Sequence, residues 1–160
     1  MSEWSKQAAK RFLEQEKTKK KQEQEENDRK AALIRDQKLL SDQEILQRRA
    51  PEMWLDLYQR FESECKELNS DIGRNLLDCR KSSDENTIEI IRKDPRTKLT
   101  LVCDPQTYSI TFLGLAVDDI GRLDIKIQPG TSESKFFDKK LRLISDPAQI
   151  VRHCLGELLS

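Results

Sequence analysis

Residues 51–81 read PEMWLDLYQRFESECKELNSDIGRNLLDCRK, and the spacing of their apolar side chains decides the fold. Trp54, Tyr58, Phe61, Cys65, Leu68 and Ile72 follow one another at intervals of 4, 3, 4, 3 and 4. Side chains three and four apart share one face of an α-helix, so this spacing predicts an amphipathic helix with a heptad seam. The stripe continues through Asn75 to Cys79, and Met53, Leu57, Leu76 and Leu77 widen it. A stripe wider than two positions per heptad suits packing on a domain as well as on a second helix. The opposite face is acidic, with Glu52, Asp56, Glu62, Glu64, Glu67 and Asp71. A helix over the whole of 51–81 would span roughly 45 Å at the standard rise per residue.

Upstream, residues 1–50 form a charged helical extension. From Glu14 to Lys30 the chain reads EQEKTKKKQEQEENDRK, with no apolar side chain. Nearly all of these are good helix formers. Acid-first pairs four apart (Glu16 with Lys20, Glu25 with Arg29, Glu26 with Lys30) each add about 0.2–0.5 kcal/mol. Such a helix has no face to bury, so it projects into water or stays partly disordered until bound. Trp4, Ala8, Ala9, Phe12 and Leu13 cluster ahead of it; Ala32, Leu39 and Leu46 recur every seven residues behind it, as do Leu33 and Leu40. Pro51 divides the helices: a proline in a helix interior costs about 3 kcal/mol and disfavours the α conformation at Ala50. A turn at Arg49–Pro51 is expected, with Pro51 early in a new helix.

Downstream, Ser82-Ser83-Asp84-Glu85-Asn86 reads as a polar linker, and the apolar period then changes to two. Strands are expected at about Thr87–Lys93, Lys98–Cys103, Thr107–Leu115 and Arg122–Gln128, with a fifth within Phe136–Ile144. Asp94-Pro95-Arg96, Asp104-Pro105-Gln106 and Asp118-Asp119 with Gly121 supply the turns. Short connections make neighbouring strands antiparallel. Asp146-Pro147 is an N-cap followed by proline at the first helical position, opening a helix with the stripe Ile150, Val151, Cys154, Leu155, Leu158 and Leu159. The fold class is therefore α+β: long coiled-coil-like N-terminal helices over 1–50 and 51–81, then a 4–5-stranded antiparallel β-meander with a C-terminal helix over 82–160. In architecture alone this order resembles adaptors built from a coiled coil and a small β domain, kinetochore-type RWD domains among them. That resemblance implies no site.

Composition narrows the function classes. The 160 residues are 36% hydrophobic and 36% charged, too polar for one compact globule throughout. The 29 Lys and Arg balance 29 Asp and Glu, which is far from the field of a dedicated nucleic-acid binder. No apolar run approaches a membrane span, and the first residues carry no hydrophobic signal region, so a cytoplasmic protein is expected. Cys65, Cys79, Cys103 and Cys154 form no close pair in sequence, so neither a zinc site nor a disulfide framework is expected.

Catalytic motifs are missing. His153 beside Cys154 reads as a boundary histidine next to a core thiol, because helix neighbours point about 100° apart. The alternative is a nucleophilic dyad of His153 with Cys103 or Cys65. Asp118, Asp119 and Asp124 read as turn and strand residues before they read as a carboxylate cluster. Tyr108 and Phe112 read as core before base-stacking platforms. Trp4, Ala8, Phe12 and Leu13 span barely two turns, too little for a membrane anchor. The expectation is a non-enzymatic, cofactor-free protein-binding or assembly protein, a homodimer with a further protein partner. Its helix interface is Trp54, Tyr58, Phe61, Cys65, Leu68 and Ile72. Asn75 would set the register if the seam joins two chains. The first alternative is nucleic-acid binding through Lys17, Lys19, Lys20 and Lys21. The second is a small-ligand or enzymatic site between sheet and helices.

Overall fold

A computed structural model describes residues 2–114 and 121–160. The protein is α+β. Helix α1 (Glu3–Ile72) is followed by seven strands and helix α2 (Pro147–Leu159). The strands are β1 (Leu77–Lys81), β2 (Thr87–Lys93), β3 (Arg96–Cys103), β4 (Ser109–Leu113), β5 (Arg122–Ile127), β6 (Ser134–Asp138) and β7 (Leu143–Ile144). They pair in sequence order as one antiparallel meander. The chain divides into two compact units, Met1–Gln43 and Glu44–Ser160.

Sheet register explains the core of the second unit. Residues directly opposite in an antiparallel pair point to the same face. The cross-strand rows Cys79–Ile90–Leu99, Ile88–Leu101–Phe112, Cys103–Ile110–Leu123 and Ile125–Phe136–Ile144 therefore lie on one side. Their buried members join Ala50, Trp54, Leu57, Phe61 and Cys65 of α1, and Ile150, Val151, Cys154, Leu155 and Leu158 of α2, in a single hydrophobic cluster. Both helices thus contribute to the apolar face of one sheet.

Three sequence expectations need correction. The helix does not break at Pro51, which lies inside α1. Pro51 is exposed, but Ala50 before it is 1% exposed and Trp54 after it 6%. Burying a large apolar side chain contributes about 1.5–3 kcal/mol, so a few such residues offset the proline's cost of about 3 kcal/mol. The helix also stops at Ile72 and does not reach residue 81. Gly73 follows at φ +86°, a left-handed position that glycine fills without strain, and its N–H donates to the Asn69 carbonyl at 2.9 Å. Leu77–Lys81 is then an edge strand, so Leu76, Leu77 and Cys79 never join the helical stripe and Asn75 sets no register. Residues 82–86 are accordingly the loop of the β1–β2 hairpin, closed by Ser82 N–H to the Thr87 carbonyl at 2.9 Å.

The third correction is the strand count: seven, where four or five are expected. One addition is β1. The other comes from splitting the expected fifth strand into β6 and β7. Asp138 makes that split: its Oδ1 accepts the Arg142 and Lys140 N–H groups at 2.8 and 2.9 Å, and Oδ2 accepts from Arg142 Nε at 2.8 Å. These donors, the Arg142 N–H above all, hold the Asp138 carboxyl below its ordinary pKa. The strands at 87–93, 96–103 and 122–127 fall close to their expected bounds. The Asp118-Asp119 turn lies outside the described residues.

Asn69 fastens the end of α1 to the first strand. Its Oδ1 accepts from the N–H groups of Leu76 and Leu77 at 3.0 and 2.9 Å, and its Nδ2 donates to the Leu77 carbonyl at 2.8 Å. At the other end of the sheet Asp146 caps α2 by accepting from Ala148 N–H at 3.0 Å, as the Asp-Pro pair predicts. Arg92 Nη1 donates to the Leu158 carbonyl at 3.1 Å in the last turn of α2. Truncating Phe61 to alanine removes a fully buried ring and is expected to cost about 3–5 kcal/mol of unfolding free energy. Asn69→Ala strips partners from three backbone groups and is expected to cost about 1–3 kcal/mol. Urea unfolding followed by circular dichroism measures both.

Candidate functional site

The helix interface expected from the seam divides between the core and its margin. Trp54, Phe61 and Cys65 are buried, Tyr58 and Leu68 are half-buried against the same cluster, and Ile72 is 43% exposed. Leu57, which the spacing treats as a flanking position, is fully buried. The centre of the stripe is thus covered by the chain's own sheet and by α2. A parallel dimer through Trp54, Phe61 and Cys65 would have to open that core.

Trp54 also lines a recess. Its indole Nε1 donates to the Glu85 carbonyl in the β1–β2 loop at 2.7 Å. Beside it lies a cleft of about 470 Å³, walled by Ala50, Pro51, Leu55, Pro105 and Tyr108 and reaching Cys103. Its rim carries Glu52, Asp84, Glu85 and Lys81. The walls are apolar, and the rim charges are largely engaged: Lys81 reaches Glu85 at 3.6 Å, and Glu52 is paired with Arg49. The Cys103 thiol is pushed up to about 11 by burial, which leaves it protonated and a poor nucleophile. The recess can hold an apolar side chain.

Cys154 and the sheet carboxylates behave as packing and turn groups. Cys154 is fully buried in α2, and desolvation pushes its thiol up to about 12. His153 beside it is half-buried. Asp124 is buried on the opposite face of the sheet, where its Oδ1 accepts from Ser109 Oγ at 2.6 Å and from Arg122 at 3.4 Å. Asp118 and Asp119 lie outside the described residues. Among the described residues no group of three or more His, Cys, Asp or Glu is arranged to hold a metal ion. Ile110 and Phe112 are buried in the core, and Tyr108 sits half-buried at φ +58°, just before β4. The aromatic pair Tyr108 and Phe112 therefore forms no exposed stacking surface.

The first unit offers a different surface. Leu33, Ile34, Leu39 and Leu40 are 58–66% exposed, and Trp4, Phe12 and Leu13 are 56–76% exposed. All are on α1. Lys17, Lys19, Lys20 and Lys21 are exposed as well, and none makes an ion pair among the described residues. Of the three acid-first pairs expected there, only Glu26 with Lys30 closes, at 3.4 Å. No described helix is long and apolar enough to cross a membrane.

Sequence reasoning missed two features. The apolar spacing gives Asn69 no role, although a side chain with both an acceptor and donors beside a helix end is suited to such a clasp. Gly73 just after the last apolar position of the stripe was the available stop signal. Compared with known proteins, the chain matches no family model, no curated sequence and no solved structure.

The two tryptophans report on the two units separately. Trp54→Phe leaves only Trp4, 76% exposed, and its fluorescence is expected to be quenched steeply by acrylamide. Trp4→Phe leaves Trp54, 6% exposed, and the quenching slope is expected to be several-fold smaller.

Proposed function

We propose that this is a non-enzymatic protein-binding or assembly protein that engages its partner through the first unit, while the second unit is a self-contained folded base. One observation carries the reading. Leu33 and Leu40 continue the seven-residue spacing of the seam toward the N-terminus, yet they are 58% and 60% exposed where Trp54, three heptads beyond Leu33, is 6% exposed. Large apolar side chains repeated on one helix face and left in water mark an interaction surface. The expectation of assembly through Trp54, Phe61 and Cys65 moves accordingly to Leu33, Leu39 and Leu40.

The occupant that fits is a helix of another chain. Apolar positions near 33–40 cover about two turns, and those near 4–13 another two, with a wholly polar stretch between. A stable two-stranded homodimer needs about three or four continuous heptads, so docking against a longer partner helix suits the pattern better than self-pairing. A homodimer stays within the proposal as the case in which the partner is a second copy. In cells the protein would act as a cytoplasmic adaptor.

A second reading rests on its own observation. Lys17, Lys20 and Lys21 share a helix face with Lys6 and Lys10, since their separations are multiples of three and four or a full heptad. Lys19 lies nearly on the opposite face. An exposed row of lysines without acidic partners suits a nucleic-acid backbone.

Light scattering across a chromatographic peak, with absorbance at 260 and 280 nm and identification of co-eluting chains, separates these readings. Leu33→Glu with Leu40→Glu should dissociate the associated chain, whether a second copy or another protein, and leave the melting temperature unchanged. Lys17, Lys19, Lys20 and Lys21 all changed to Gln should leave that association intact. Retention of every partner by the double glutamate variant overturns the first reading. Nucleic acid that co-elutes with wild type, weakens steeply with salt and is lost in the glutamine variant establishes the second.

A further inference from the structure

The sequence separates Cys65 and Cys79 by a helix end and a turn, and the fold brings them together. Asn69 is bonded to Leu77 through both its backbone N–H and its carbonyl. Moving back one helical turn from Asn69 gives Cys65, on the same helix face about 6 Å away. Moving forward two residues from Leu77 gives Cys79, on the same strand face about 6.6 Å away. After the turn that follows Gly73, β1 runs back along α1, so these two steps go in the same direction. Beyond them the contacts resume: Lys81 Nζ stands 5.4 Å from the centre of the Tyr58 ring. The two thiols therefore occupy the rung between a fixed contact at 69–77 and another at 58–81.

Both thiols line one solvent-reaching cleft of about 410 Å³, with Asn69, Asn75, Lys66 and Lys93 among its other walls. Cys65 is 3% exposed; Cys79 is half-buried. The pair differs from the other two cysteines in electrostatics as well as access. For Cys103 and Cys154 burial is the leading influence and drives both up. The neighbouring Cys79 thiol favours the Cys65 thiolate and lowers Cys65, while the pairing and burial raise Cys79.

We propose that Cys65 and Cys79 are a reversible dithiol–disulfide site that takes a small peroxide as oxidant and links the C-terminal part of α1 to the edge strand β1. The small size of the oxidant follows from the burial of Cys65. The Cys65 thiolate attacks one peroxide oxygen, the O–O bond breaks, and hydroxide leaves with Cys65 as a sulfenic acid. The Cys79 sulfur then attacks the Cys65 sulfur. The S–S bond forms, the S–O bond breaks, and the oxygen departs as water with the Cys79 proton. Two thiols and one hydrogen peroxide give one disulfide and two waters. Reduction proceeds by attack of an external thiol on the more accessible Cys79 sulfur, whose bond to Cys65 breaks, followed by a second thiol that releases the external disulfide.

Mass spectrometry of the full chain tests this. After stoichiometric hydrogen peroxide, denaturation with an alkylating reagent and trypsin, peptides 61–66 and 75–80 are expected as one cross-linked species, lighter by two hydrogens and separated by reductant. Its formation should outpace oxidation of Cys103 and Cys154 by about tenfold or more, following thiolate availability. The unfolding midpoint should rise by several degrees on oxidation and return on reduction, because the link closes a loop in the unfolded chain. Cys79→Ser, at the half-buried position, keeps the fold and removes the resolving thiol, so dimedone should then trap sulfenic acid on Cys65. The proposal is overturned by recovery of both thiols alkylated at wild-type positions, by links that join different chains, or by a Cys79→Ser protein whose Cys65 gives no dimedone adduct.

Discussion

Burial of Leu57 and Phe61 in the cluster that α1 shares with the sheet and α2 is the contact on which the rest of the second unit depends. These side chains are fully shielded, and they lie one helical turn apart on α1 with Trp54 and Cys65 on either side. Their burial keeps the helix continuous through Pro51, where local propensity alone favours a break. It also sets which face of the meander turns inward. The rows of Ile, Leu and Phe across β2 to β6 have a helix to pack against only because α1 and α2 both deliver apolar stripes to them. The clasp of Asn69 on Leu76 and Leu77 then fixes where the helix ends and the sheet begins.

That arrangement has a consequence for function. The centre of the most conspicuous apolar stripe in the chain is buried internally. The apolar positions left in water are the sparse ones nearer the N-terminus, where Leu33, Ile34, Leu39 and Leu40 stand at 58–66% exposure. The strong stripe is core here, and the short stripe on the highly charged part of the helix stays exposed. The same contrast governs the charges. The lysines at 17, 19, 20 and 21 form no ion pair among the described residues, whereas Lys98 pairs with Glu89 across two strands at 2.9 Å.

The four cysteines show how context changes one functional group. Cys103 and Cys154 serve as small apolar side chains whose thiols are pushed to about 11 and about 12. Cys65 is at least as well buried as Cys103, yet its thiol moves the other way because the Cys79 thiol beside it favours its charged form. Burial raises a thiol's pKa by penalising the charged form, and a donor lowers it by solvating that form from within the protein.

Much of the architecture was legible in the sequence because it depends on local periodicity. The alternation at 87–93 and 122–127, the Asp146-Pro147 start of α2 and the heptad spacing of 54–72 are each written in neighbouring residues, so they determine element type and the inward face. Three matters needed the tertiary structure. Pro51 is tolerated because packing energy from distant strands exceeds a local penalty. Residues 77–81 are a strand because β2 offers a partner ladder and Asn69 an anchor, although Leu76, Leu77 and Cys79 also fit a helical stripe. The meeting of Cys65 with Cys79 depends on the chain reversing after Gly73, and no spacing rule for a continuous helix contains that reversal. The sequence by itself determined an α+β chain with a charged helical extension; only the tertiary structure decided that its best seam faces inward, because whether an apolar stripe meets its own chain or another is settled by which surface is within reach.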